Sequence, residues 1–336
     1  MTTLSLGDLA SSLVLRNRTT QLRQTMAQLT QEMSTGQIAD PNKRLGGDLS
    51  YLTEIERNLK TLEGFKLATG EAAIFADAVQ ASLGRIHDSV TDLAPTLIVA
   101  GQALQPAVRD NAIYQAQSAL EAAVSALNAE VSGRSLFGGT AIDRAPLADA
   151  GTLLAELGTV LAGLTSPADI RQAASDWFDD PAGFRAVIYD GAAQGLAPFR
   201  LGAGEEVGFD LRADDPAIRD VLRDLALVAL ADDPSLAWSA TTQNGVMIEA
   251  GEALLNNANA LAGLRSDLGY AQGRIEAAET RNAAARNSLE IARNNVLQAD
   301  PFETATRLEE TQFQLESLYS VTVRTSRLSL LSFLQG

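Results

Sequence analysis

Few residues of this 336-residue chain could carry chemistry, because it contains no cysteine and a single histidine, His87. Disulfides, thiol nucleophiles and cysteine-bound zinc are therefore excluded, and a catalytic triad or histidine metal site would depend on His87 alone. The glycines of residues 202–208 lack the spacing of a dinucleotide-binding loop. Asp176, Asp179 and Asp180 lack the spacing and closing glutamate of an EF-hand calcium loop. We therefore expect no enzyme, no metal and no cofactor.

The charge and hydropathy of the chain exclude two classes of partner. Acidic residues number 42 against 26 basic ones, which gives a net charge of −16 and a surface that would repel nucleic-acid phosphates. No apolar run is long enough to span a membrane. The first residues also lack the basic and apolar segments of a Sec-type signal peptide. We expect neither nucleic-acid binding nor membrane insertion.

The strongest pattern is a heptad repeat over about 50 residues between Pro234 and Pro301. Two apolar rows spaced seven residues apart predict a long helix that packs through an a/d stripe. The alanines of the second row require a close partner helix, and the asparagines are polar positions of the kind that fix the alignment of helices. The first row is Met247, Leu254, Leu261, Leu268, Ile275, Asn282, Leu289 and Val296, and the second is Ala250, Asn257, Leu264, Ala271, Ala278, Ala285 and Ala292.

Two earlier segments carry matching rows and predict the partner helices. Three heptad helices separated by short breaks indicate a helical bundle. The first segment has Phe65, Ala72, Val79, Ile86 and Leu93 interleaved with Ala76, Leu83, Val90 and Leu97, and the second has Ile113, Leu120 and Leu127 with Val124 and Val131.

Residues 141–245 lose the heptads and hold 17 acidic against 7 basic residues. Serine–proline and aspartate–proline pairs predict helices over about 167–177 and 216–231. Apolar runs between glycines predict short strands at 186–189, 198–201 and 206–211. We expect a small acidic α+β domain that is inserted in the bundle and shares few apolar contacts with it.

The two ends of the chain, 1–35 and 300–336, each predict an amphipathic helix with too few apolar residues to fold alone. An antiparallel bundle brings both ends to one pole, where they can pair as a coiled coil. We expect these helices to gain order only against other copies of the chain. The predicted assembly residues are Leu15, Leu22, Met26, Leu29, Met33, Leu308, Leu315, Leu318, Val321, Leu328 and Leu331.

These segments together predict a mainly α fold. It consists of an elongated antiparallel helical bundle (36–140 and 246–299), coiled-coil terminal helices (1–35 and 300–336) and a small α+β domain inserted in the middle (141–245).

Local motifs make the chain resemble the bacterial flagellin family. Residues 28–36, QLTQEMSTG, are similar to the end of the family's leading helix, and 300–305, DPFETA, to the start of its C-terminal helix. Residues 133–140, GRSLFGGT, resemble the G-x-Y-L-F-x-G-T segment of hook-associated members, with Ser135 where tyrosine is common. Residues 189–191 and 199–207 also resemble stretches of those members.

The resemblance implies a structural subunit of the flagellum at the boundary between hook and filament. It implies export without a cleaved signal peptide and a location outside the cell. The implied partners are copies of the chain, a neighbouring hook-associated protein, flagellin, and an export chaperone at the C-terminal helix. Two alternatives stay open: the filament flagellin itself, and a cytoplasmic coiled-coil scaffold or adaptor.

Overall fold

The computed structural model describes residues 6–334, with the side chains of residues 10 and 12–324. This part of the chain forms ten helices and four short strands, which confirms the mainly α prediction. The helices are α1 (Leu6–Thr35), α2 (Pro41–Arg44), α3 (Ser50–Gln102), α4 (Pro106–Leu127), α5 (Ala150–Leu161), α6 (Pro167–Asp179), α7 (Phe184–Val187), α8 (Pro216–Ala229), α9 (Ala240–Leu297) and α10 (Pro301–Leu334). The strands are β1 (Glu130–Val131), β2 (Arg134–Ser135), β3 (Phe199–Gly202) and β4 (Glu205–Val207), and they form two separate antiparallel hairpins, β1–β2 and β3–β4.

The chain divides into two compact units. Residues up to 62 and from 284 onward form one, which we name the terminal unit. Residues 63–283 form the other, which we name the central unit. The long helices α3 and α9 contribute residues to both.

The heptad rows form the core of the central unit. Most side chains of α3, α4 and α9 that the sequence placed on the apolar stripes are buried in one continuous cluster, and Leu264 and Ala271 are partly buried against it. Leu83, Leu120 and Leu261 are each fully buried. The prediction of three packed heptad helices is therefore confirmed for residues 63–283.

Helices α3 and α9 approach closely where glycines replace larger residues. A Cβ atom on Gly251 would lie 2.8 Å from the Ala94 carbonyl oxygen, and one on Gly101 would lie 2.7 Å from the Asn244 carbonyl oxygen. Backbone atoms cannot move aside as flexible side chains do. These two glycines therefore set the distance between the helices.

We expect Gly251→Ala to destabilise the protein by about 1–3 kcal/mol, because the new methyl group overpacks the α3–α9 contact. The matched control is Gly269→Ala in the same helix, where a Cβ meets nothing within 4 Å. That substitution should stabilise by about 0.5–1 kcal/mol through helix propensity. Chemical denaturation measures both, and equal effects of the two substitutions would contradict the close approach.

The middle of the chain is joined to the bundle by helix α8. This helix packs along α4, and its residues from Val221 to Ala229 are all buried. The buried set includes the ion pair of Arg223 with Asp224, and Asp224 also accepts a 2.8 Å hydrogen bond from Asn257 of α9. Burial raises the pKa of the Asp224 carboxyl. The expectation of few apolar contacts between this region and the bundle was wrong.

The local predictions in the middle region had mixed outcomes. The helices predicted near 167–177 and 216–231 are α6 and α8, and the strands near 198–201 and 206–211 correspond to β3 and β4. The strand predicted at 186–189 is wrong. Residues Phe184–Val187 form the short helix α7, and Tyr189 makes only an isolated bridge with Leu147.

The glycine-rich segment 133–140 is a buried junction within the central unit. It begins in the turn of the β1–β2 hairpin and includes strand β2. Phe137 is fully buried, and its carbonyl accepts from the Ala213 amide. Gly139 has a φ of +61°, and a Cβ there would lie 2.3 Å from the Gln194 carbonyl oxygen. Only glycine fits this left-handed, crowded position.

Candidate assembly surface

The two terminal helices, α1 and α10, pack against each other in antiparallel orientation within the terminal unit. The Arg23 side chain of α1 donates to the Tyr319 hydroxyl of α10, at 2.6 Å from Nη2 and 3.0 Å from Nε. The Arg23 guanidinium also lies 5.8 Å from the centre of the Tyr319 ring. The predicted pairing of the two chain ends is therefore confirmed, and the expectation that they gain order only against other copies stays a prediction.

Local sequence fixes the ends of these helices at one level. Gly36 ends α1 with a φ of +68°, and its carbonyl accepts from the Ala299 amide at 2.9 Å. The Ile38 amide donates to the Leu297 carbonyl at 2.8 Å, so the two connecting segments bond to each other. Asp300 caps α10 by accepting from the Phe302 amide at 2.8 Å. The chain therefore enters and leaves the helix pair at the same place.

The predicted assembly residues fall into several classes of exposure. Those that face the other terminal helix form the seam between α1 and α10, and the buried threonines of α10 make this seam partly polar. Leu328 and Leu331 lie on helical backbone, but their side chains are outside those the structure describes. Leu22, Leu29 and Leu315 are buried with Thr304 and Thr311; Leu15, Met26, Leu308 and Leu318 are half-buried; Met33 and Val321 are each 48% exposed.

Sequence reasoning missed a second set of apolar residues, on the outer face of the same helices. Phe302 is 82% exposed and Phe313 is 71% exposed. Leu13 and Val14 of α1 are also exposed. These residues lie off the heptad stripe, so a search for the stripe does not find them. Large apolar side chains left in water at this density indicate a surface that binds something.

A groove runs along one face of the terminal pair. Its apolar part has a volume of about 400 Å³, and its polar part has about 490 Å³. The two parts are neighbours, since Gln314 lines both. Phe313, Leu318 and Val321 line the apolar part with Leu22 and Arg18, and charged side chains line the polar part.

The polar part of the groove contains a small ion-pair cluster. Glu303 binds Arg44 of α2 at 2.7 Å and Arg307 at 3.0 Å. The hydrogen bond from Arg44 holds the pKa of the Glu303 carboxyl below its usual value and raises the pKa of Arg44. All three side chains are accessible to solvent, so this cluster aligns α2 with α10 more than it stabilises them.

The residues considered for catalysis, metal binding or cofactor binding occupy ordinary positions in helices, ion pairs and turns. His87 is half-buried on α3. Asp179 pairs with Arg219 at 3.0 Å, and Asp180 accepts from the Ala182 amide. The glycines near 204 form the turn of the β3–β4 hairpin. Among the described residues no group of acidic and histidine side chains is placed to hold a metal ion, and no helix is both long and apolar enough to cross a bilayer.

The C-terminal helices of the chain match a known protein family. Residues 252–334, which span most of α9 and all of α10, match the family described as the bacterial flagellin C-terminal helical region. The chain is therefore similar to flagellins over this C-terminal helical region.

The fold of the chain also resembles solved structures, of which 33 chains match. One is assigned as a flagellar hook-associated protein from Vibrio parahaemolyticus, with 14% identity and a TM-score of 0.51. The likeness covers 73% of this chain and 95% of that one. A search of curated protein sequences gave no match.

Two neighbouring positions on α10 separate the seam of the terminal pair from its outer face. We expect Leu315→Asp to open the α1–α10 pair, because it places a carboxylate in the buried seam. We expect Phe313→Asp to leave the pair intact, with stability changed by less than about 0.5 kcal/mol, because Phe313 is exposed.

Amide hydrogen exchange of the free chain measures this difference. Leu315→Asp should speed exchange throughout α1 and α10, whereas Phe313→Asp should match the unmodified chain. Fast exchange in both variants, or in neither, would contradict the assigned seam.

Proposed function

We propose that this protein is the hook–filament junction subunit of a bacterial flagellum. It assembles with copies of itself at the end of the hook and connects the hook to the filament. The observation that carries the proposal is the outward apolar face of the paired terminal helices, with Phe302 and Phe313 mostly exposed. A pair that satisfies its own seam and still exposes large apolar residues is suited to packing between subunits.

Two observations favour the junction subunit over other flagellin-family roles. The fold extends over nearly the whole of a protein assigned to the hook-associated group. The segment 133–140, which resembles that group in sequence, is a buried junction with Phe137 at its centre. Because this motif is part of the core, its similarity to the hook-associated group supports placing the chain in that group.

The proposed partners follow from this position. The subunit contacts copies of itself, a neighbouring hook-associated protein and flagellin, and an export chaperone binds its C-terminal helix before secretion. It functions outside the cell after export without a cleaved signal peptide. The acidic residues of 141–245 form the outer surface of the assembled structure.

Filament flagellin is the second candidate, because the matched family is named for the flagellin C-terminal region. The same terminal helices would serve that role. The two candidates differ in the structure they build, since a filament subunit polymerises without limit and a junction subunit forms a short connecting zone.

Deletion of the gene from its host distinguishes the candidates. We expect cells that retain hooks, lack filaments and release flagellin into the medium, as counted by electron microscopy and immunoblotting. Expression of the unmodified chain should restore filaments, and Phe313→Asp should not.

Other phenotypes would contradict the proposal. Purified protein that forms micrometre-long filaments alone would identify the filament subunit. Protein that stays in the cell whether or not flagellar export operates would identify a cytoplasmic scaffold.

A further inference from the structure

Charge is segregated along the paired terminal helices. We name residues 10–26 with 317–324 the distal half of the pair, and residues 27–45 with 299–316 the proximal half. The described distal half carries four arginines and no carboxylate, whereas the proximal half has seven carboxylates against three basic residues. The distal arginines are Arg16, Arg18, Arg23 and Arg324, and the proximal carboxylates are Glu32, Asp40, Asp300, Glu303, Glu309, Glu310 and Glu316.

Contacts within the chain leave much of this charge unpaired. Arg44 and Arg307 both bind the same carboxylate, that of Glu303. Among the described residues, Glu309, Glu310 and Glu316 have no basic partner, and Arg16 and Arg18 have no acidic one. Each copy thus presents an acidic surface and a basic surface on one helix pair.

The groove on this pair combines charge with apolar area. Glu310 lines its polar part, while Phe313 and Leu318 line its apolar part. A matching segment occurs at the beginning of α1, where Leu13 and Val14 are 62% and 64% exposed. Leu13 lies three residues before Arg16 on the helix and therefore shares a face with it.

We propose that the groove of one copy binds the first turns of α1 from a second copy, in a head-to-tail contact. This proposal rests on the proposed self-assembly and adds its geometry. Leu13 and Val14 of the incoming helix cover the apolar part of the groove, and Arg16 faces the acidic part near Glu310. Because the two surfaces differ, every bound copy offers a groove or a helix to the next, and the contact builds a closed ring of copies when the rotation between neighbours closes.

The same two surfaces cannot meet within one chain. Arg23 of α1 contacts Tyr319 of α10, so these two residues lie at the same height along the pair. At 1.5 Å per residue, Leu13 lies about 15 Å from this height towards the beginning of α1, and Phe313 lies about 9 Å from it in the opposite direction. The two side chains are therefore separated by about 24 Å along the pair. Any close contact between them identifies two copies.

Charge reversal tests the electrostatic part of the contact. In a host lacking its own copy, we expect Arg16→Glu and Glu310→Arg each to reduce the chain recovered in sheared flagella about tenfold, because like charges then face each other. The double variant Arg16→Glu/Glu310→Arg should recover most of the loss. Glu276→Arg, an exposed position on α9 in the central unit, is the matched control and should assemble normally.

Cross-linking tests the contact itself, and the absence of native cysteine makes it specific. In flagella assembled from the Leu13→Cys/Phe313→Cys variant, mild oxidation should give a ladder of covalent oligomers on a non-reducing gel. Each single-cysteine variant should give none. A disulfide requires Cα atoms within about 7 Å, so a ladder demonstrates the head-to-tail contact.

The outcomes separate this proposal from the proposed function. Normal assembly of both charge-reversed variants and no ladder, together with loss of assembly for Phe313→Asp, would overturn the head-to-tail contact and leave the junction role in place. Normal assembly of all variants, including Phe313→Asp, would overturn both. Dimers from either single-cysteine variant would show a symmetric contact and also overturn the proposal.

Discussion

The seam between α1 and α10 is the constraint on which the function of this protein depends. Its buried large apolar side chains in the described chain are Leu22, Leu29 and Leu315, and threonines occupy neighbouring positions. Such a seam aligns two helices but buries little apolar surface. Each helix therefore keeps apolar residues outside the pair, and these residues need a partner beyond the chain. A sparse inner seam and an apolar outer face are two consequences of the same sequence.

The central unit is organised in the opposite way. Most of its heptad positions are buried on three helices, α8 packs along α4, and the buried carboxylate of Asp224 is paired with Arg223 and Asn257. The close approach at Gly251 leaves no room for adjustment. This unit can therefore fold by intramolecular contacts, while the terminal unit provides surfaces for assembly. Dividing stability and association between two regions lets a subunit remain folded before it joins an assembly.

Long periodic elements could be predicted from sequence because one interaction, burial of a helical stripe, governs them over many turns. The first row of α9 is buried from Met247 to Ile275 as predicted, whereas Leu264 and Ala271 of the second row are half-buried. Short elements could not be predicted equally well. Half of the strand expected at 186–189 belongs to helix α7, and Tyr189 bridges to the distant residue Leu147 instead of joining a sheet. Helix α5 and the β1–β2 hairpin were not predicted, since both depend on tertiary packing.

Only part of the candidate assembly surface could be predicted from the sequence. Heptad spacing identified the positions that form the seam, such as Leu22 and Leu315, but the seam is satisfied within the chain. The outer residues, such as Phe313, became visible only when the pairing of α1 with α10 defined which side of each helix is covered. Periodicity marks one apolar stripe, and it does not reveal a second surface whose partner lies in another molecule.

The central claim is that the seam closes within the chain and the outer face closes between chains. Because the protein has no native cysteine, thiol labelling of Phe313→Cys and Leu315→Cys measures both faces directly. We predict that position 313 labels fast in the free chain and slowly in assembled flagella, while position 315 labels slowly in both. Equally fast labelling of the two positions in the free chain, or unchanged fast labelling of position 313 after assembly, would contradict the account.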